Sequence, residues 1–350
     1  MCTGIQLTAK TGAVVGARTL EFGIDLESDV LMTPRGHTRT GATPDGLDGA
    51  QWTAKYASVG ISGFGLDVVV DGVNEKGLGV GLFYFPRCVG YMAYTPAAAA
   101  KTIAPWQLTS WILDQFADVA EVKANVDRIL VAAVVLAQWR IVPPFHYIVY
   151  DATGKSIVLE HVVGKLNVHD NLLGVITNSP AFDWHMTNLN NYMAYSFTNL
   201  PSVKLGPIQL EQFGDGNGMF GLPGDSTPTS RFVRAVAYTQ SVWQSKTGAD
   251  AILEAFHILN NFDIPIGSVR TPGTKDGVVE ADHTLWTIAK DLETKNYYFR
   301  TYENSRIRVV ELMKMDLDAK APLRISMKGG EVIESLTPPA GAGRDGARAA

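Results

Sequence analysis

The residue pattern predicts a layered α+β protein in which antiparallel sheet dominates. Three observations carry this prediction: apolar–polar alternation on both sides of short turns, two regions where the apolar period becomes helical, and no regular strand–helix–strand alternation. The segment GIQLTAKTGAVVGARTLEF alternates about a turn at Lys10-Thr11-Gly12, and VVVDGVNEKGLGVGLFYF repeats that hairpin logic about residues 74–77. Between Pro105 and Val126 the residues Leu108, Trp111, Ile112, Leu113 and Phe116 fall at helical spacing, and Asp118-Val-Ala-Glu121 resembles a capping box for a second helix. Strands return in FHYIVYDATGKSIVLEHV, with the turn at residues 151–155. In SRFVRAVAYTQSVW the residues Phe232, Ala235, Val236, Thr239 and Trp243 form one stripe, and Asp250 opens another helix through Phe256 and Leu259. The segments TLWTIAKDLETKNYYFRTY and RIRVVEL close the pattern as sheet.

Size and composition bound the function. The chain has 350 residues, 46% hydrophobic and 19% charged, which supports one large core or two ordinary domains. Residues 1–335 are expected to form a single domain, and LTPPAGAGRDGARAA from Leu336 to Ala350 is too poor in apolar residues to pack and reads as a disordered tail. A net charge of −5 without any Lys/Arg run argues against nucleic acid as a partner. The apolar run from Ile129 to Ala137 covers about nine residues against the ~18 that cross a bilayer, so it reads as a buried strand and no membrane partner is expected. Taken as it stands the chain is expected in the cytoplasm, or in the periplasm if a leader was removed before Cys2.

Several motifs lead nowhere. GLGVGL at residues 77–82 lacks the spacing of a nucleotide loop and reads as a glycine-containing strand. The GDS at residues 224–226 has no nucleophile elbow around it and reads as a turn before a helix. The seven histidines show no zinc spacing, so neither a metal nor an organic cofactor is expected, and His146 reads as a hydrogen-bonded core histidine. Two cysteines, Cys2 and Cys88, cannot make a disulfide framework, and Cys88 reads as structural or incidental.

Cys2 is different because of where it stands. Removal of Met1 would free its α-amino group, and a terminal amine titrating at about 7.7–8.0 beside a thiol at about 8.5 puts base and nucleophile on one residue. Such a residue can activate itself.

Further tracts place this thiol in a context: MCTG…ARTLEF, GVNEKGLGVGLFYFP, TNSPAFDWHMTNLNNY, GDSTPTSRFVRA, NNFDIPIGSVR and DHTLWTIAKDLETKNYYFRTYEN. In this order, from Cys2 to about Val310, they resemble the choloylglycine hydrolase family, which includes conjugated bile salt hydrolases and penicillin V acylases. The resemblance implies an N-terminal-nucleophile hydrolase with a four-layer αββα sandwich of mainly antiparallel sheets. It also implies homotetramers, a small N-acyl amide as substrate, and hydrolysis of a linear C–N bond through a thioester.

Residue by residue, Cys2 matches the family's nucleophile, and Arg18 matches the arginine beside the thiol, where a guanidinium would hold the thiolate. Glu21 stands where an aspartate usually accepts a hydrogen bond from the α-amine. In a regular strand Arg18 and Glu21 face opposite sides, so both reach Cys2 only through a bulge or turn. Asn178 matches the oxyanion-stabilising asparagine, and Tyr84 the position whose backbone N–H completes that hole. Tyrosine there resembles some penicillin acylases, whereas many bile salt hydrolases carry asparagine. Arg231 matches a second active-site arginine at a helix start. Phe22, Phe64, Tyr84, Phe85 and the region from Leu130 to Trp139 are candidates for an apolar acyl pocket. Acyl homoserine lactone acylase activity, a catalytically inactive binding homologue, and a redox protein using Cys2 with Cys88 are the competing readings.

Overall fold

In the computed structural model, which describes residues 1–272, 280–330 and 333–337, two antiparallel sheets face each other. In the first sheet the strands run in the order Cys2–Thr8, Val14–Phe22, Ala281–Asp291, Asn296–Thr301, Asn304–Glu311, so the N-terminal strand lies at an edge. The second runs Lys165–Asp170, Ser156–Val162, Phe145–Tyr150, Gly79–Tyr84, Asp71–Asn74, Ser58–Ile61, Asp29–Thr33, Leu323–Ser326. Helices Pro228–Ser241 and Gly248–Leu259 cover the outside of the first sheet, and Leu108–Gln115 and Val119–Asn125 cover the second, giving four layers in the order αββα.

The local rules explain most of this. Gly12 and Gly77 both take positive φ in the turns of the two predicted hairpins. Asp118 accepts the N–H of Glu121 at 2.8 Å, while the Glu121 carboxylate reaches back to Ala117 N at 2.8 Å. Thr247 and Asp250 form a reciprocal capping box for the helix Gly248–Leu259. His146 is buried, with its ring nitrogens facing Glu160 Oε1 at 2.9 Å and Thr177 O at 3.2 Å.

Two expectations need correction. The run from Ile129 to Ala137 contributes only a two-residue strand, Leu130–Val131, parallel to Thr102–Ile103. Beyond it, Ala132 and Val134 pack with Leu130 and Ala104 in a small separate cluster, while Val135 is exposed. Trp243 lies beyond the C-cap of Pro228–Ser241 and is 95% exposed, since the helix ends at Val242 before the stripe completes. Leu336 is exposed, and of the segment 336–350 the residues 338–350 lie outside the described residues. Among the described residues no helix is long and apolar enough to cross a membrane.

Candidate active site

Cys2 opens the edge strand, and its position is fixed from both sides. On one side it pairs with Leu20. On the free edge, Gly4 N donates to Ile176 O at 2.8 Å and Ile176 N to Gly4 O at 3.0 Å, so the segment leading to Asn178 is laid along the strand. Glycine is needed at position 4: a Cβ there would stand 2.7 Å from Phe83 Cζ and 2.8 Å from Ile176 Cγ2. The next N–H on this edge, that of Cys2 itself, meets Asn178 Oδ1 at 2.9 Å. Asn178 is thus the partner of the nitrogen that becomes the α-amine when Met1 is removed.

Alternation sorts the charged residues onto two faces. Cys2, Arg18 and Leu20 share the face that looks toward the second sheet. Arg18 is buried there, its guanidinium carbon 3.9 Å from the centre of the Phe83 ring. Its Nε donates to Thr19 O and its Nη1 to Leu82 O, while Nη2 has no hydrogen-bond partner among the described residues. Close by, Lys290 Nζ donates to Asp71 Oδ1 at 2.6 Å and to Val80 O at 2.9 Å, and Tyr297 Oη lies 3.1 Å from the same carboxylate oxygen. A Cβ on Gly81 would lie 2.5 Å from Asp71 Oδ2 and 3.5 Å from Arg18 Nη1, so glycine leaves the room in which these groups meet. Burial pushes Lys290 down to about 8 against the opposing pull of Asp71.

Thr3, Glu21 and Arg231 belong to the other face. Arg231, at the start of the helix Pro228–Ser241, uses every nitrogen: Nε to Ser226 O at 2.9 Å, Nη1 to Cys2 O and to Thr3 Oγ1 at 2.9 Å, and Nη2 to Asn178 Oδ1 at 2.7 Å. Burial lowers its pKa, and Glu21 is the strongest opposing influence. Glu21 is fully buried, which raises its carboxyl; the Met1 ammonium and then Arg231 act against this. Its Oε1 accepts from Thr284 Oγ1 at 3.4 Å, and its Oε2 has no partner among the described residues. The pairing of the first two strands is regular through Leu20, so no bulge there turns Arg18 and Glu21 to one side. They lie on opposite faces of residue 2.

The two oxyanion candidates come together. Leu82 N donates to Val70 O and Phe85 N to Pro144 O, an alternation that turns the N–H and C=O of Tyr84 away from Phe145–Tyr150. Asn178 Nδ2 meets that carbonyl at 2.7 Å. One proton of the amide is thereby engaged, and the second is left for another acceptor. Behind it, His185 Nε2 donates to Asn178 O at 2.8 Å and its ring stacks on Phe232, while burial depresses His185 to about 4.

Two spaces meet at Phe22 and Tyr84. One is a narrow apolar cleft of about 50 Å³ whose lining includes Cys2, Phe22, Phe64, Tyr84, Trp139 and Phe145. Trp139 stacks on Phe22 with ring centres 5.1 Å apart and meets Phe64 edge-on. The other is a mixed mouth holding Met1, where Asn178, Ser179, Glu280 and Asp282 stand among Ile24, Pro86 and Pro228. Phe85 is not in the cleft: it is fully buried and stacks on His146 at 4.3 Å. Strand alternation puts it on the face opposite Tyr84.

The other five predicted site residues, Arg18, Glu21, Tyr84, Asn178 and Arg231, therefore lie around residue 2, and both cysteines are free thiols. Sequence reasoning missed Thr3, Asp71, His185, Lys290 and Asp282. A faint signal existed for Asp71 and Lys290, charges inside the otherwise apolar strands VVVDGV and LWTIAKDL.

Comparison with known proteins agrees with this geometry. The model of the linear amide C–N hydrolases, choloylglycine hydrolase family, matches residues 2–324. The chain is 35% identical to the bile salt hydrolase/transferase of Clostridium perfringens over 320 residues, covering 91% of this chain and 94% of that one. Among solved structures, the C2A mutant of the conjugated bile acid hydrolase from C. perfringens superposes with a TM-score of 0.85 at 32% identity, covering 96% of this chain and 100% of the other. The penicillin V acylase from Agrobacterium tumefaciens superposes at 0.74 with 26% identity, covering 94% and 92%.

Proposed function

Because the chain belongs to the choloylglycine hydrolase family and is a hydrolase of linear amide C–N bonds, we propose that Cys2, freed of Met1, is its nucleophile and its own base. One observation carries this reading: the Cys2 nitrogen sits on Asn178 Oδ1 while Cys2 lines the apolar cleft that adjoins the mouth through Phe22 and Tyr84. The α-amine takes the thiol proton, and the sulfur attacks the amide carbonyl carbon. The oxyanion is received by Tyr84 N–H and the second Nδ2 proton of Asn178; one such donor is worth ~10²–10³ in turnover. The C–N bond breaks as the ammonium returns its proton to the leaving amine. Water then adds to the thioester, gives a proton to the α-amine, and releases the acid with the thiol restored.

Arg18, with an uncommitted Nη2, supplies positive charge on the thiol face. Arg231 and Glu21 hold and balance the backbone side. No step calls on a metal or organic cofactor.

For the acyl half, the cleft favours a flat aromatic or extended chain over a fused steroid. An engineered apolar cavity of ~150 Å³ accommodates benzene, so even a phenoxyacetyl group requires Trp139 to leave its stack on Phe22. We also propose self-assembly through the segment 193–220. Its hairpin, Val203–Leu205 with Ile208–Leu210, is exposed along both strands, and Met193, Phe197, Phe213 and Phe220 are exposed beside it.

Intact-mass analysis during turnover of N-phenoxyacetyl amides tests the chemistry. The expected result is a transient acyl adduct on the peptide that begins at Cys2, absent in Cys2→Ala. Hydrolysis without any adduct at Cys2, or an adduct at Cys88, contradicts it.

A further inference from the structure

Between the two sheets, on the face that carries the thiol, two cations and one carboxylate are buried together. Arg18 and Lys290 come from neighbouring strands of the first sheet, where Ile288 stands opposite Arg18 and Lys290 opposite Gly16, and both are fully buried. Asp71 comes from the second sheet and is equally buried. Among the described residues its ion pair is with Lys290 alone, at 2.6 Å. Arg18 nevertheless stands close by. A Cβ on Gly81, the residue opposite Asp71, would meet Asp71 Oδ2 at 2.5 Å and Arg18 Nη1 at 3.5 Å, so the two groups border the same methyl-sized space. Asp71 Oδ2 and Arg18 Nη2 both lack a hydrogen-bond partner among the described residues.

What keeps the carboxylate and the guanidinium apart is the engagement of each elsewhere. Lys290 Nζ donates to Asp71 Oδ1 and to Val80 O, Tyr297 Oη donates to the same Oδ1, and the Tyr150 ring lies 4.9 Å from the ammonium. Arg18 Nη1 donates to Leu82 O. Leu82 lines the apolar cleft with Cys2, and its strand ends at Tyr84. A buried carboxylate that loses its cation carries a large penalty, and a guanidinium matches both carboxylate oxygens. Without Lys290, the cation that can answer Asp71 is Arg18.

Resting on the amidase reading above, we propose that Lys290 is a positioning residue that keeps Arg18 free: by holding Asp71 it prevents the guanidinium from folding onto that carboxylate, and leaves its charge facing residue 2. Two cations against one carboxylate leave the cluster with a positive excess on the thiol face, which an anionic sulfur answers.

Lys290→Met and Asp71→Asn break the same ion pair and so separate this role from a structural one. Both are measured on protein shown by mass to begin at Cys2 and by circular dichroism to be folded. Lys290→Met should lower kcat on a phenoxyacetyl amide by about thirtyfold with KM little changed, whereas Asp71→Asn should cost about threefold. Lys290→Met/Asp71→Asn, which removes the competing carboxylate as well, should recover to within about threefold of the parent protein. Lys290→Gln, which keeps a donor for Asp71 without the charge, repeats the comparison where Lys290→Met is too unstable to purify, with about a tenfold loss expected. A crystal structure of the Lys290 variant should show Arg18 paired with Asp71. Equal losses in the two single variants, a double variant as slow as Lys290→Met, or an Arg18 that stays on Leu82 O overturns the inference. If the parent protein hydrolyses no amide yet Arg18 moves onto Asp71 in the Lys290 variant, the amidase reading fails while the role of Lys290 stands.

Discussion

Arg18 and Arg231 invite comparison, for they are equally buried, at 1% exposure each, and flank the same strand. Arg231 spends its whole guanidinium on four acceptors, three of them from the strand start and Asn178. Arg18 spends two nitrogens on carbonyls and keeps Nη2 uncommitted on the face it shares with Cys2. Equal charge and equal burial thus support different work. A buried cation with every nitrogen engaged fixes geometry, whereas one with a nitrogen in reserve keeps its field for a charge that appears during the reaction.

The largest expected effect follows from the matched arginine. Arg231→Leu strands the Cys2 and Ser226 carbonyls and Thr3 Oγ1, leaves Asn178 Oδ1 with the Cys2 N–H alone, and should cost about 3–5 kcal/mol in denaturant unfolding together with all measurable turnover. Arg231→Lys should rescue neither, since one ammonium cannot span those acceptors.

Arg18→Met sharpens the contrast. Asp71 keeps Lys290 and Tyr297, so the loss of stability should be about 1–2 kcal/mol. Turnover of a phenoxyacetyl amide should fall by about a hundredfold, because the charge that faces the reacting side of residue 2 is gone. Equal stability losses in the two variants would erase the distinction.

The smallest effect concerns the uncharged support on the Arg231 side. His185, behind Asn178, and His161 are both depressed to about 4 by burial. With a folded pKa below the unfolded one, the unfolded chain takes up protons first as pH falls. The stability is complete above about pH 6.5 and is lost toward pH 4, by about 1.4 kcal/mol per histidine at pH 5.5. Urea midpoints at pH 7 and 5.5 should show this, and His161→Phe, whose ring nitrogens lack partners among the described residues, should remove its share.

Much of this was legible in the sequence, and the omissions have a physical pattern. Cys2, Arg18, Glu21, Tyr84, Asn178 and Arg231 were readable because they sit in recognisable tracts, and the hairpins because glycine turns separate alternating strands. Lys290 and Asp71 were not, because their partnership comes from two sheets facing each other, across some 200 residues of chain, a relation no local period encodes. The opposition of Arg18 and Glu21, a difficulty when both must reach one atom, resolves once thiol and nitrogen are separate targets on opposite faces. The apolar run after Ile129 misled because hydrophobicity reports burial and not conformation: Ala132, Val134 and Leu136 are buried without belonging to a strand. Asp282 opens the tract DHTLWTIAKDLETKNYYFRTYEN, but nothing local tells which groups surround it in the mouth.

The central claim is that the nitrogen and the sulfur of residue 2 act together, and one measurement addresses it directly. Protein made with methionine aminopeptidase inhibited, and verified by intact mass to retain Met1, is compared on a phenoxyacetyl amide with protein verified to begin at Cys2. The account predicts hydrolysis by the second and none by the first, with activity restored when Met1 is cleaved enzymatically. Equal turnover by the two forms would contradict it.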